Sequence, residues 1–196
     1  MSISILGGHA SGHALFVPKG DSTRPTTVML RRRFFDAHQD CSGLIFVDIC
    51  AGTGAMGLEA LSRGASEVLC VEKNKHVIRV LKSNAEAISK KVPEAKVKID
   101  MASADQWLER FLRVYKTWDE EKRQNTYLYI DPPYELKDLY KKCLTLIKES
   151  EFEGVLWIES DRQKGILEKD INSVGYQFAK VYKQGTSFIA RLSSLE

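Results

Sequence analysis

Residues 44–72 read LIFVDICAGTGAMGLEALSRGASEVLCVE, and the transitions inside this stretch set the architecture. LIFVDI at 44–49 is a short unbroken apolar run, the pattern of a strand covered on both faces. The glycine cluster AGTGAMG at 51–57 ends it, and AMGLEALSR at 55–63 continues with helical spacing until Gly64 caps the turn. EVLCVE at 67–72 is then a second buried strand. Downstream the alternation repeats. Val77, Ile78, Leu81, Ala85 and Ile88 mark a helix at 75–90 that Pro93 closes, and a strand follows at about 96–100. Trp107, Leu108, Phe111, Leu112 and Tyr115 form one side of a helix at 104–115, and a charged loop covers 117–125. YLYI at 127–130, a helix at about 137–148, GVLWIE at 154–159 and two strand-like runs at 176–183 and 186–192 complete the series. Such alternation predicts a three-layer α/β/α sandwich on a mostly parallel, seven-stranded sheet.

Upstream the pattern changes. ISIL at 3–6 and ALFV at 14–17 can pair across GGHASGH as a small hairpin, and a helix is expected from Thr27 to about His38. The expected division is a 1–40 extension and a 41–196 main domain. Residues 1–34 hold Lys19, Arg24, Arg31, Arg32 and Arg33 against Asp21 alone, and His9, His13 and His38 stand ready to add charge beside an anionic partner. Arg31, Arg32 and Arg33 spread over about 200° of a helix, so they cannot share one surface.

Composition excludes several classes. With 43% hydrophobic and 28% charged residues over 196 positions, one soluble core is expected, and disorder, collagen and coiled coil are ruled out. No apolar run approaches the ~18 residues of a membrane helix, so a cytoplasmic protein with no membrane partner is expected. Cys41, Cys50, Cys70 and Cys143 contain no Cys-x-x-Cys pair, so they read as free thiols and no metal is expected.

Chemistry concentrates at strand ends, where ligands of such sheets bind. Gly52-x-Gly54-x-x-Gly57 follows a strand and opens a helix, presenting backbone amides to a ligand. Alone it fits an adenine dinucleotide or S-adenosylmethionine. Glu72, 20 residues after Gly52, can accept both ribose hydroxyls of either. Asp48 discriminates, because a carboxylate there suits a cationic ammonium group and repels a pyrophosphate. Ser103 and Ala104, with Asp105 competing, mark where adenine would rest, although Ser103 also reads as a helix cap.

Asp131-Pro132-Pro133-Tyr134 is the most specific signal. A planar amino group is a poor nucleophile because its lone pair is delocalised. The Asp131 carboxylate and Pro132 carbonyl can accept its hydrogens and turn the lone pair toward a methyl donor. The two prolines hold that carbonyl rigidly, and Tyr134 offers a face for the target ring.

DICAGTGAMGLEALSRGA at 48–65, the 131–134 turn, LGG at 6–8 with Gly12, TRPTT at 23–27, Arg31, Phe35 and Gly185 together resemble the bacterial small-subunit (16S) ribosomal RNA guanine-N2 methyltransferases over nearly the whole chain. The resemblance implies a Rossmann-like enzyme that uses S-adenosylmethionine to methylate the 2-amino group of a guanosine. Asp48, Gly52 and Gly54 would hold the cofactor, Glu72 its ribose, and Asp131 through Tyr134 the amine. Arg24 and Arg31 would contact RNA or close the site. Ribosomal RNA or the small ribosomal subunit is the partner implied, the target base being everted beside Tyr134; a monomer is expected. The chain departs from that family at His9 and His13, where Lys or Arg is common, and at Val28, Met29 and Arg32, which replace an Asp-Arg…Glu pattern. Adenine or a protein amide as acceptor, a nicotinamide-dependent oxidoreductase, and a non-catalytic RNA-binding assembly factor are the alternative readings.

Overall fold

The structure, a computed structural model, describes residues 3–18 and 25–195. In chain order, β1 (Ile3–Ser4) and β2 (Ala14–Leu15) form an antiparallel hairpin, and α1 (Pro25–Asp36) follows. Next come β3 (Ile45–Ile49), α2 (Ala55–Ser62), β4 (Glu67–Glu72), α3 (Lys75–Ser89) and β5 (Lys96–Met101). Then come α4 (Ala104–Tyr115), α5 (Glu120–Gln124), β6 (Thr126–Ile130) and α6 (Lys137–Glu149). The last elements are β7 (Val155–Asp161), α7 (Glu168–Asn172), β8 (Tyr176–Gln184) and β9 (Ser187–Ser194). The main sheet has the order β5-β4-β3-β6-β7-β9-β8; the first five strands are parallel, and β9 and β8 are antiparallel. The fold is therefore the three-layer α/β/α sandwich with an N-terminal extension that the alternation predicts.

The period of two along a strand decides what meets what. Ile45, Val47 and Ile49 of β3 join the core beneath α4, α6 and α7, whereas Phe46 joins the core beneath α1, α2 and α3. In β6 and β7 the same alternation sends Ile130 and Ile158 one way, and Tyr129 and Trp157 the other. Register aligns Asp48 with Tyr129, and Tyr129 with Trp157. Two residues further on stand Asp131, just past the end of β6, and Glu159, near the carboxyl end of β7.

Two helices lie where none was expected. α5 falls in the charged loop, its first turn capped by the Asp119 carboxylate accepting from the Lys122 amide at 2.8 Å. α7 is held similarly, Asp170 accepting from the Leu167 amide at 3.1 Å. Each has five residues and buries at most Ile171, so neither carries a stripe that periodicity could reveal.

The hairpin is fastened to α2. Glu59, fully buried, accepts from the Leu6 and Gly7 amides at 2.6 and 2.9 Å and pairs with Arg63 at 2.8 Å. Ser62 accepts from the Ala10 amide and donates to the Gly7 carbonyl. At Gly8, φ is +74° and a Cβ would sit 1.9 Å from the Ser62 carbonyl oxygen, so no other residue fits. Meanwhile α1 lies against β8 and β9, with the Phe34 ring edge-on to Trp157 at 5.0 Å and to Tyr182 at 6.1 Å.

The extension corrects one expectation about charge. Arg32 and Arg33 are exposed while Arg31 is buried, so the three arginines do part company, and of the two roles expected for Arg31, contacting RNA or closing the site, its burial favours the second. His38 stacks on Phe34 at 4.4 Å and burial lowers its pKa, which keeps the ring neutral rather than adding charge for an anionic partner. Arg24 and the preceding Thr23 lie outside the described residues. Among the described residues no helix is long and apolar enough to cross a membrane.

Candidate active site

A cavity of about 640 Å³ opens at the carboxyl ends of the parallel strands, within the ~300–1,000 Å³ usual for small-ligand sites. Its wall brings together Glu72, Ser103, Ala104, Asp131, Pro132, Pro133 and Tyr134, residues that the sequence reading selected from three separate stretches. A second space of about 80 Å³ lies behind it, bordered by Asp48 and Arg31 among others, and Cys50, Asp131 and Glu159 border both. Asp48 and Asp131 thus face one chamber. Gly52 and Gly54 line neither space.

The glycine loop is shaped by its neighbours. Gly54 sits at the mouth of α2 with φ +85°, and a Cβ there would lie 2.5 Å from Leu81. The Gly57 amide donates to Asp48 Oδ2 at 2.9 Å, so the strand-end carboxylate also caps the helix. Glu72 Oε2 accepts from the Gly52 amide at 3.1 Å, and Oε1 from the Asn74 amide at 2.7 Å. Each oxygen keeps a free lone pair for a hydroxyl. Asn84 of α3, buried, donates to the Thr53 carbonyl and closes a two-way bond with the Phe16 backbone, tying the loop to the segment after the hairpin.

The adenine side resolves in one respect. Ser103 is the residue before α4 but makes no side-chain cap; the residue lines the cavity, and its hydroxyl is buried with no partner among the described residues. Asp105 also lines the cavity, but its carboxylate is engaged by Lys142 at 2.6 Å, which holds its pKa down at about 2. Cys50, expected as a buried hydrophobe, is half-buried with φ +66° and borders both spaces; burial pushes its thiol far up, so it is inert.

The Asp131–Tyr134 turn is braced by Glu159, which the sequence reading passed over. Glu159 is buried and its carboxylate accepts from the Tyr134 hydroxyl at 3.0 Å and from the Tyr129 hydroxyl. Its carbonyl lies 2.6 Å from the Tyr140 hydroxyl, which is also 2.9 Å from the Pro132 carbonyl. One hydroxyl proton serves two carbonyls here, so the Pro132 oxygen keeps acceptor capacity. Burial, then Glu159 and Asp48, raise the Asp131 pKa well above the ordinary carboxylate range. Burial, helped by Glu159 and Glu72, brings Asp48 up to about 7 against the pull of the Gly57 amide.

Arg31 was expected to contact RNA or to close the site. It is 3% exposed, donating from Nη2 to the Ser4 carbonyl at 2.6 Å and from Nη1 to the Ala55 carbonyl at 3.3 Å. A side chain so enclosed does not contact an RNA surface; it forms a wall of the small chamber. Lys73, Lys164 and Ser187 also line the large cavity, and no motif flagged them. The residues suit an adenosyl cofactor with a cationic end: a buried unpartnered serine, a carboxylate with free lone pairs, and an acidic chamber.

A family model described as "Conserved hypothetical protein 95" matches residues 3–189. YlbH of Bacillus subtilis (strain 168), provisionally named an rRNA methyltransferase, is 29% identical, with 81% of this chain and 83% of that protein covered. Ribosomal RNA small subunit methyltransferase D of Escherichia coli (strain K12) is 27% identical over 94% of this chain and 93% of its own. Among solved structures, Escherichia coli yhhF, provisionally named a methyltransferase, superposes with a TM-score of 0.72 and 23% identity, covering 100% of this chain and 99% of that one. That superposition establishes the shared fold.

Proposed function

We propose that this chain, which belongs to the family described as conserved hypothetical protein 95, is a methyltransferase that moves the methyl group of S-adenosylmethionine to the exocyclic 2-amino group of a guanosine in small-subunit (16S) ribosomal RNA. The observation that carries the reading is that the Asp131–Tyr134 turn, Glu72 and Ser103 line one cavity while Asp48 and Asp131 face its rear chamber. The names of the relatives above support the ribosomal substrate.

The cofactor, when bound, supplies an electrophilic methyl on a cationic sulfur. Glu72 would hold its ribose and Ser103 and Ala104 its base, and the loop at Gly52 and Gly54 would shape the site through the amide that Gly52 gives to Glu72. The wall of Asp48, Asp131 and Glu159 favours a cationic ligand and opposes a pyrophosphate, which supports this cofactor over a dinucleotide. Asp131 and the Pro132 carbonyl accept the two amine hydrogens, aligning the nitrogen lone pair with the methyl carbon. Tyr134, anchored by Glu159, presents its ring to the everted base. A methylated ammonium loses its proton readily, so no strong base is needed. On this reading residues 41–196 catalyse, and residues 1–40 supply Arg24 to contact RNA and Arg31 to close the site.

The test is to incubate the protein with precursor and mature small subunits, free 16S RNA and labelled S-adenosylmethionine, then map the label. One labelled guanosine N2 supports the proposal. Label on adenine or on protein replaces the acceptor, and absence of transfer with retained RNA binding points to an assembly factor.

A further inference from the structure

Ile130 of β6 pairs with Ile158 of β7 in parallel register, so the residues that follow, Asp131 and Glu159, stand side by side on strands ~4.8 Å apart. Both line the large cavity, with Pro132 and Tyr134. Glu159 is 3% exposed, and its carboxylate is fixed by two hydroxyls, that of Tyr129 on Oε2 and that of Tyr134 on Oε1. Each oxygen keeps a further acceptor site. Because the Tyr134 proton is committed to Glu159, this corner of the cavity offers a ligand only acceptors: two carboxylates and the Pro132 carbonyl. Adjacent buried carboxylates repel each other, and a ligand with a row of donors relieves that repulsion.

Amino groups differ in what flanks them. The 6-amino group of adenine lies between two ring nitrogens with bare lone pairs, the 4-amino group of cytosine lies beside one, and a protein amide carries its own carbonyl oxygen. Guanine alone among these places a second donor, N1–H, directly beside its amine. Its 6-oxygen comes next, and the next strand in the sheet, β9, brings Ser187, while Lys164 stands on the turn after β7; both line the cavity and carry donors. The strand order β6-β7-β9 thus repeats the order of the guanine edge.

We propose that Glu159 selects guanine by accepting the N1–H hydrogen bond beside the amine that Asp131 and the Pro132 carbonyl hold. The inference rests on the guanosine reading above and gives Glu159 a substrate contact besides its hold on Tyr134. A base with a bare N1 loses that bond and turns a lone pair toward the carboxylate.

The test uses small subunits reconstituted with 16S RNA carrying guanosine, 6-thioguanosine or 2-aminopurine at the nucleotide that the labelling experiment maps. All three keep the 2-amino group. Both analogues lack the 6-oxygen, but only 2-aminopurine lacks N1–H, so the difference between them isolates that hydrogen. Wild-type kcat/KM is expected to stay within about fivefold of guanosine for 6-thioguanosine and to fall by at least about 100-fold for 2-aminopurine. Glu159→Gln, whose amide can turn an N–H toward the bare N1, should raise the ratio of 2-aminopurine to guanosine activity by at least about tenfold. Wild-type protein that uses the two analogues equally, well or poorly, overturns the N1–H contact and leaves the guanosine reading intact, and this comparison does not depend on the stability of any variant. A loss in Glu159→Gln that is equal on all three acceptors reduces Glu159 to a brace for Tyr134 and also overturns it. Label that never reaches a guanosine N2 removes both readings.

Discussion

Tyr134 donates its hydroxyl proton to Glu159 at 3.0 Å, so the ring at the mouth of the cavity is positioned by a carboxylate buried one strand away. The same carboxylate lies beside Asp131 and helps burial to raise its pKa. If Asp131 accepts amine hydrogens as the anion, kcat should climb with pH beyond the ordinary carboxylate range. Glu159→Gln removes the negative neighbour, lowers the Asp131 pKa and should move that rising limb to lower pH. Glu159→Ala should also free the ring and raise KM for RNA. A limb that stays in place in Glu159→Gln would separate the two carboxylates functionally.

Asp131 is proposed as an acceptor rather than a base. Asp131→Ala should lower kcat by about 100-fold or more with little change in cofactor affinity. Asp131→Asn, which keeps an acceptor oxygen, should retain distinctly more activity. Single-turnover rates decide it, and equal losses in the two variants would instead assign proton abstraction to the carboxylate.

Asp48 makes a thermodynamic prediction. Its pKa is raised to about 7 in the folded chain, against an unfolded value of ~3.9. Between those values the native state holds a proton that the unfolded state has lost, so the apo protein loses stability as pH rises through that window. Asp48→Asn should therefore leave the apo protein nearly unchanged at about pH 4 and stabilise it at about pH 8, by at most about 4 kcal/mol. Chemical denaturation at the two pH values measures the difference, and cofactor binding should weaken in the same variant. A stabilisation equal at both pH values would show that the gain is not linked to the proton.

Glu59 joins the hairpin to α2 through two amides and Arg63. Glu59→Ala strands a buried guanidinium and two amide donors, and should cost about 3–5 kcal/mol. Limited proteolysis should then cut the first eighteen residues well before the sheet. Protection equal to wild type would mean that Ser62 and Gly8 suffice to hold the hairpin.

The fold was legible because its strands carry unbroken apolar runs and its longer helices carry stripes; α5 and α7 escaped because one turn of helix buries too little to leave a pattern. In the site, Asp48 and Asp131 are legible because each adjoins a turn with its own chemistry, glycines or prolines, and Glu72 because it ends a strand 20 residues after Gly52. Glu159 lies two residues before the end of β7 and no such turn adjoins it, so nothing in the sequence singles it out. Which of the two roles Arg31 takes is not legible in the sequence, for another reason. Sequence spacing separates Arg31 from Arg32 and Arg33 on the helix, but which of the three faces inward depends on how Leu30, Phe34 and Phe35 seat α1 on the sheet.

That seating reaches across the chain. Phe34 packs against Tyr182, 148 residues later, so during ribosomal synthesis at ~5–20 residues per second the α1 helix waits roughly 7–30 s for its cover. Until the final hairpin emerges, the apolar stripe of Leu30, Phe34 and Phe35 lacks part of the surface that covers it in the finished fold.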